Sequence, residues 1–484
     1  MKTKIIVISD VHYAVKAGCP ERRGNIADIL LLRTVHRINR YLKPDLVCLL
    51  GDFDDSANQQ RLREISEIID LLECPHIVIP GNHDGDTETF FKIFKKPLDH
   101  IDIGCCRFIP FIDPEQPGYN ASRTSEDIDR MNALASDWDG PVASLQHVPL
   151  FHAASHSCSY NYTNVDEITN AMKKSGITHT ISGHYHRGFH LPDDDGLSVI
   201  VAPALCEKPF RFLEVIIESN GKTSVTELSL ALNESLEISD YHIHSNFAYC
   251  NENMNFAKVV ELGNDFNLKS TCFSEHTAHL YMDRSEYGNF TKNGSTNTTS
   301  KPRTSLFLEE AGKFRSERTL VGFEVDCDFS GNPILSKEDR EQADLIIGAL
   351  HYLPQETQKD IESAKIAFKR MLESFVQSPM HILAHPFRVF RRSGLQSPEE
   401  LYPFVADLLK TNDIAAELNF HTNEPPAKFV EICLNEGVKL SLGSDSHNLY
   451  EVGEFYPHLQ LLNSLGCNDL ENVLLRTTGP SNIP

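Results

Sequence analysis

Short aliphatic and β-branched runs that stop at Asp, His or Gly recur along the whole chain, and they constrain its fold more than any other feature. In the first half they are KIIVIS before Asp10-Val11-His12, DLVCLL before Gly51-Asp52, HIVIP before Gly81-Asn82-His83-Asp84, VASLQ before His147, and THTIS before Gly183-His184-Tyr185-His186. Stretches of helical period lie between some of them. Ile26, Ile29, Leu30 and Ile38 share one stripe over 25–42, and Leu62, Ile65, Ile69 and Leu72 share another over 58–73. Strand and helix in alternation predict a layered α/β fold. Because such folds keep their chemistry at the carboxyl ends of strands, the clusters are expected to converge on one point. Three short runs over 196–230, LSVIVA, RFLEVII and TSVTELSL, read as a meander completing a second sheet.

The pattern restarts at LEISDYHIHS, 236–245, where His242 and His244 lie two residues apart and therefore on one face of an extended strand. Further runs end at Glu275-His276, Glu324, His351, His385, Glu417 and Asp445-Ser446-His447. About seven strand and helix units over roughly 240 residues predict a closed or nearly closed barrel, with these residues on its carboxyl rim. A chain of 484 residues exceeds what one core usually supports. Two domains are expected, 1–232 and 236–484, joined near Asn233-Glu234-Ser235.

Composition limits the partners. The 68 acidic residues against 45 basic ones give a formal charge of -23, which repels long nucleic acid unless a local basic groove or bound cations reverse the field. No stretch approaches the roughly 18 apolar residues that span a bilayer. The amino terminus, MKTKIIVISD, lacks the apolar core of a signal peptide. A cytoplasmic protein without membrane contact is expected, its twelve cysteines reduced. Nothing in the sequence speaks to its oligomeric state.

Asp-x-His and His-x-His each set two ligands on one face, while the glycines before Asp52, Asn82 and His184 permit turns that bring those side chains near an ion. Hard oxygens mixed with imidazoles suit Mn, Fe or Zn better than Ca. These five motifs, DVH, GD, GNHD, H and GHYH in that order, resemble the signature of calcineurin-like metallophosphoesterases. The resemblance implies a four-layered αββα sandwich. It implies one divalent ion on Asp10, His12, Asp52 and His186, and a second on Asp52, Asn82, His147 and His184. It further implies that His83 helps protonate the leaving oxygen, with Asp84 orienting it. Two cations so close polarise a phosphoryl group in an in-line displacement.

The second half, with IIGALHYL, ILAHPFR, AAELNFH and LSLGSDSHN, is similar to the PHP domain in its histidinol-phosphatase-like branch. That resemblance implies a (β/α)7 barrel with one ion on His242, His244, Glu324 and Asp445 and a second on Glu324, His351 and His385. A third is approached by His276, beside Glu275, and by His447. Where the family often has an acid, a glycine or a further histidine, 247–253 reads FAYCNEN, so two or three ions are expected. Arg388 could supply a bidentate fork to a phosphate dianion. Glu417 reads equally as a capped strand end or as a group behind a ligand. The polar stretch 284–303, with NGSTNTTSKPR, has no apolar period and reads as a disordered or mobile loop, a plain solvated insertion in preference to a lid.

Together these readings predict a bifunctional metal-dependent phosphoesterase acting on mono- or diesters of small molecules or nucleotides. A nuclease for single strands or ends, and a chain with one non-catalytic, ligand-binding domain, are the alternatives.

Overall fold

The computed structural model describes residues 1–422 and 424–477. The chain divides into two compact units, Met1–Ala231 and Leu232–Pro484. Among the described residues, no helix is long and apolar enough to cross a membrane.

The first unit is a four-layered αββα sandwich. Its strands are β1 (Lys2–Ile8), β2 (Leu46–Leu49), β3 (His76–Val78), β4 (Ile101–Ile103), β5 (Cys106–Pro110), the short pair β6 (Glu115–Gln116) and β7 (Asn120–Ala121), then β8 (Val142–Leu145), β9 (His179–Ser182), β10 (Phe189–Asp194), β11 (Leu197–Val201), β12 (Arg211–Glu218) and β13 (Thr223–Ser229). One sheet has the order β13-β12-β1-β2-β3 and the other β10-β11-β9-β8-β5-β4. Alternate residues of each strand face opposite ways. Ile5 and Val7 thus enter a shared core with Phe108, Leu145 and Ile181 of the other sheet. Helices Ser125–Ala135 and Val165–Ser175 bury Met131, Ile168 and Met172 against the outer side of the second sheet.

The meander expected at 196–230 is split between the sheets. Strand β11 runs parallel to β9, whereas β12 pairs antiparallel with β1 over Lys2–Val7 and carries β13 outside it. Local alternation marks these strands, but pairing with a segment some 200 residues away decides which sheet receives them.

The second unit is a seven-stranded parallel barrel of β14 (Asp240–Ile243), β15 (Thr271–His276), β16 (Thr319–Asp326), β17 (Leu345–Ala349), β18 (Ile382–Ala384), β19 (Ala415–Asn419) and β20 (Leu440–Gly443), paired in chain order. The first strand and the segment after the last meet through Asp445 N to His242 O at 2.7 Å and His244 N to Ser446 O at 3.1 Å. This is a nearly closed ring. Parallel strands covered on both faces are buried along their length, and all eight residues of β16 are buried, Glu324 and Asp326 at its carboxyl end included.

The stretch 284–303 is not the disordered insertion that its composition suggests. Arg284–Asn293 is a helix with a capping box, Asp283 accepting from Glu286 N and Glu286 from Asp283 N. The Glu286 carboxylate also accepts from Thr298, Thr299 and Ser300, tying the following loop back, and Phe290 is buried. One aromatic anchor and a capping box supply what a repeating apolar stripe normally would.

Candidate metal centres

Both units gather their strand-end residues. In the first, Asp10 and His12 follow β1, Asp52 follows β2, Asn82 and His83 follow β3, His147 follows β8, and His184 and His186 follow β9. Asp52 lies between two subsets. Its Oδ2 is 3.6 Å from His12 Nε2 and 3.3 Å from His147 Nε2, while Oδ1 accepts from His83 N at 2.8 Å. On one side, His12 Nε2 and His186 Nε2 stand 3.2 Å apart with Asp10 Oδ1 3.4 Å from the latter. On the other, His184 Nδ1 and His147 Nε2 stand 3.1 Å apart, and Asn82 Oδ1 is 3.2 Å from His147 Nε2.

The outer nitrogens show what these inner ones are. His147 Nδ1 donates to the Leu50 carbonyl at 2.6 Å, His184 Nε2 to the Tyr119 carbonyl at 3.1 Å, and His186 Nδ1 to Glu207 Oε1 at 2.6 Å. A neutral imidazole has one N–H, so each of these rings turns a lone pair inward. The lone pairs of His184 and His147, facing one another across 3.1 Å beside the buried Asp52 carboxylate, are repulsive unless a cation or a proton lies between them. The residues therefore fit divalent ions. Without one, protons take up the charge. Burial pulls the His147 and His186 imidazoles down, but Asp52 holds His147 up at about 9 and Asp10 with Glu207 holds His186 up at about 10. Burial pushes the Asp52 carboxyl up, and His147 more than offsets it, leaving it at about 2.

Glycine acts here by closeness as much as by turning. Gly51 has φ +91, but Gly81 and Gly183 take no left-handed turn; a Cβ on Gly81 would meet Asp52 Oδ1 at 2.2 Å and one on Gly183 would meet Ser9 Oγ at 1.7 Å. The left-handed backbone sits instead on the polar residues themselves: Asp10, His12, Asp52 and His184, and in the second unit His385 and Asp445. Side chains bear that strain only where the surroundings impose it.

Asp84 does not reach the His83 ring. It accepts from the backbone N–H groups of Gly81, Asp52, Phe53 and Asp54, knotting two loops together. Burial and the neighbouring Asp52 still push its carboxyl up to about 7. His83 is oriented instead by the Asp55 carbonyl, 3.0 Å from Nδ1.

In the second unit Glu324, fully buried on β16, is the hub. Its Oε1 lies 3.1 Å from His385 Nε2, 3.2 Å from His351 Nε2 and 3.5 Å from His242 Nε2; its Oε2 lies 2.5 Å from His276 Nδ1 and 3.6 Å from His244 Nε2. Asp445 Oδ1 adds contacts of 3.0 Å to His244 Nε2 and 3.6 Å to His242 Nε2. The outer nitrogens are held again, mostly by carboxylates: His242 Nδ1 by Glu417 at 2.6 Å, His351 Nδ1 by Asp326 at 2.7 Å, and His244 Nδ1 by Glu275 at 3.3 Å. His447 Nδ1 donates to the Asp445 carbonyl at 2.7 Å. Three buried atoms of this cage, His242 Nε2, Glu324 Oε2 and His385 Nδ1, have no well-aligned hydrogen-bond partner. That donor set also fits divalent ions. Burial pushes Glu324 up, but the surrounding imidazoles hold it well below its ordinary value.

Two residues are used otherwise than their spacing suggests. Glu275 is occupied by His244, Ser245 and its neighbour's N–H. Arg388 donates to Asp445 Oδ2 at 2.6 Å and to Asn419 Oδ1, fully inside the protein. Where 247–253 lacks a histidine, Cys250 Sγ lies 3.7 Å from His276 Nε2. Glu207, Asp55 and Tyr119 had no signal in the sequence, since each follows or interrupts a loop of no regular spacing.

Comparison with known proteins agrees with both halves. The calcineurin-like phosphoesterase family model matches residues 3–188, and the PHP domain model matches 240–421. The chain carries a calcineurin-like phosphoesterase domain followed by a PHP domain. The chain is 34% identical over 81 residues to a "probable glycerophosphodiester phosphodiesterase" of Arcobacter nitrofigilis, covering 17% of this chain and 30% of that protein. It is 27% identical over 171 residues to a "probable cyclic nucleotide phosphodiesterase" of Fibrobacter succinogenes, covering 33% of this chain and 64% of that one. The chain thus spans less than two thirds of the length of either relative. A dimetal phosphatase from Danio rerio aligns over 46% of this chain and 98% of its own, with 15% identity and a TM-score of 0.39.

The phosphoesterase centre opens into a cavity of about 430 Å³. A larger cavity, about 790 Å³, lies toward the amino ends of the PHP barrel strands beside Tyr241, Arg318 and Ser441, and includes none of the clustered residues.

Proposed function

We propose that this chain is a bifunctional metal-dependent phosphoesterase, hydrolysing mono- or diesters of small molecules or nucleotides at one centre in each domain. The observation that carries the reading is the inward lone pairs: with their outer nitrogens held, His147 and His184 in the first domain and His242, His244 and His351 in the second turn their inner nitrogens toward one another or toward Asp52, Glu324 and Asp445, where a cation or a proton must lie. The relatives named as phosphodiesterases support the reaction class for the first domain.

In the phosphoesterase domain Asp10, His12, Asp52 and His186 would hold one divalent ion and Asp52, Asn82, His147 and His184 a second. In the PHP domain His242, His244, Glu324 and Asp445 would hold one, and Glu324, His351 and His385 another, with His276 and His447 approaching a third. Mn, Fe and Zn suit these donors. Such ions, when bound, polarise a phosphoryl group and activate water for in-line displacement. The rest falls to the chain. His83, its Nδ1 on the Asp55 carbonyl, presents Nε2 to the cavity and in its protonated form gives a proton to the departing oxygen. Asp84 keeps the loops of Asp52 and Asn82 in register. Arg388 and Asn419 hold the Asp445 carboxylate, and Glu417 and Glu275 fix the rings of His242 and His244.

A panel of phosphomonoesters and diesters assayed with defined Mn, Fe, Zn and Mg, on wild type, Asp52→Asn and Glu324→Gln, tests this. Each variant is expected to lose a different subset of activities. Retention of every activity in both variants would sink the proposal, and loss of all activity in one alone would leave the other domain as an accessory.

A further inference from the structure

The cavity over the phosphoesterase centre has two unlike walls. On one side stands Arg22, its Nη2 3.5 Å from His186 Nε2 and its Nη1 3.8 Å from Asp55 Oδ1. On the other stand Tyr119, Tyr160 and Tyr185, all lining the same cavity. The Tyr160 ring lies 4.7 Å from that of His184, 6.5 Å from Tyr119 at 87° and 6.4 Å from Tyr185 at 63°. Tyr185 is braced from behind, its ring 6.0 Å from both Phe189 and His156.

Tyr119 is the informative member. It sits between β6 and β7 with φ +60, a left-handed backbone that aromatic residues rarely adopt. The conformation turns its carbonyl onto His184 Nε2. Glycine or asparagine would aim that carbonyl with less strain, so holding His184 does not explain the ring. Tyr119 is 56% exposed and lines the cavity. Strain accepted for an exposed aromatic ring points to something that the ring contacts.

We propose that Tyr119, Tyr160 and Tyr185 select the substrate of this centre: a phosphoester bearing a nucleobase-sized planar ring, a nucleotide in preference to a glycerol phosphodiester. The inference rests on the phosphoesterase reading above and narrows its substrate class. The phosphate lies over the imidazoles and carboxylates with Arg22 beside it, and the base rests against the tyrosines, whose faces gain from stacking with any base and little from a glycerol chain. A cavity of about 430 Å³ falls within the range for small-ligand sites.

The test uses the full-length chain with Mn, carrying Glu324→Gln so that only the first centre turns over, and compares 3′,5′-cyclic AMP with glycerophosphoethanolamine. Adding Tyr160→Leu is expected to raise KM for the nucleotide roughly ten-fold, with kcat/KM for the glycerol ester changing by less than about two-fold. Tyr119→Asn, which tolerates the left-handed backbone and keeps the carbonyl on His184, should act in the same direction more weakly. Equal loss on both esters, or no loss on either, overturns the wall. If neither ester is turned over, the phosphoesterase reading fails for this centre, and calorimetry with AMP and glycerol 3-phosphate still reads the wall. AMP binding weakened selectively by Tyr160→Leu sustains the inference; equal affinities, or no AMP binding, overturn it.

Discussion

The two centres use the same side chains but support them differently. In the phosphoesterase domain the outer nitrogens of His147 and His184 rest on backbone carbonyls, and the carboxylates beside the others, Glu207 on His186 and Asp55 3.3 Å from His12 Nδ1, are 33% and 43% exposed. In the PHP domain His242, His244 and His351 rest on Glu417, Glu275 and Asp326, all buried, and one carboxylate, Glu324, is shared by five imidazoles. A carboxylate behind an imidazole makes it a stronger, more nearly anionic ligand than a carbonyl does. The first centre is accordingly propped in part by carbonyls and exposed carboxylates, and the second by buried carboxylates, so that it should grip its ions harder.

The largest expected effect tests the hub. Glu324→Gln leaves five imidazoles around a neutral amide, and breaking a buried charged cluster in this way costs about 3–5 kcal/mol, on the order of 10³-fold in cation affinity. Asp52→Asn should cost its own centre less, because only two imidazoles face that carboxylate closely. Metal content after gel filtration, read by mass spectrometry, checks both. Equal losses in the two variants would erase the contrast.

Glu417→Gln comes next. Without its charge the His242 ring loses its anionic prop, and cation affinity at the PHP centre should fall roughly 10- to 100-fold, with the phosphoesterase centre unchanged. Competition with a chromogenic chelator measures it. The same chelator, raised stepwise against wild type, should strip the phosphoesterase centre first; simultaneous stripping would show that the buried props make no difference to retention.

Much of this was legible before any coordinates, for a physical reason. A strand must end in something, and a run such as KIIVIS stopping at Asp10-Val11-His12 announces both the strand and what its end presents. The barrel followed in the same way from repeated apolar runs ending in Glu324, His351 and His385. The props of the phosphoesterase domain were not legible. Glu207, Asp55 and the Tyr119 carbonyl reach their histidines from loops with no period, across separations that local pattern does not encode. Nor was the left-handed backbone at Asp10, Asp52 and Asp445, since strain belongs to tertiary packing. The helix at 284–293 stayed hidden because a single Phe290 and one capping box replace a stripe.

The smallest predicted effect is the sharpest test of why the centres differ. Glu207→Gln keeps an oxygen within reach of His186 Nδ1 and removes only the charge, so it separates the charge of a prop from its hydrogen bond. The side chains of His186 and Glu207 are 23% and 33% exposed, and solvent screens what passes between them. Cation affinity at the phosphoesterase centre should therefore fall by less than about ten-fold, below the loss from Glu417→Gln, whose pair is 0% and 1% exposed. A loss equal to or larger than that of Glu417→Gln would mean that burial does not set the strength of a prop, and the grip of the PHP cage would then have to come from the sharing of Glu324 alone.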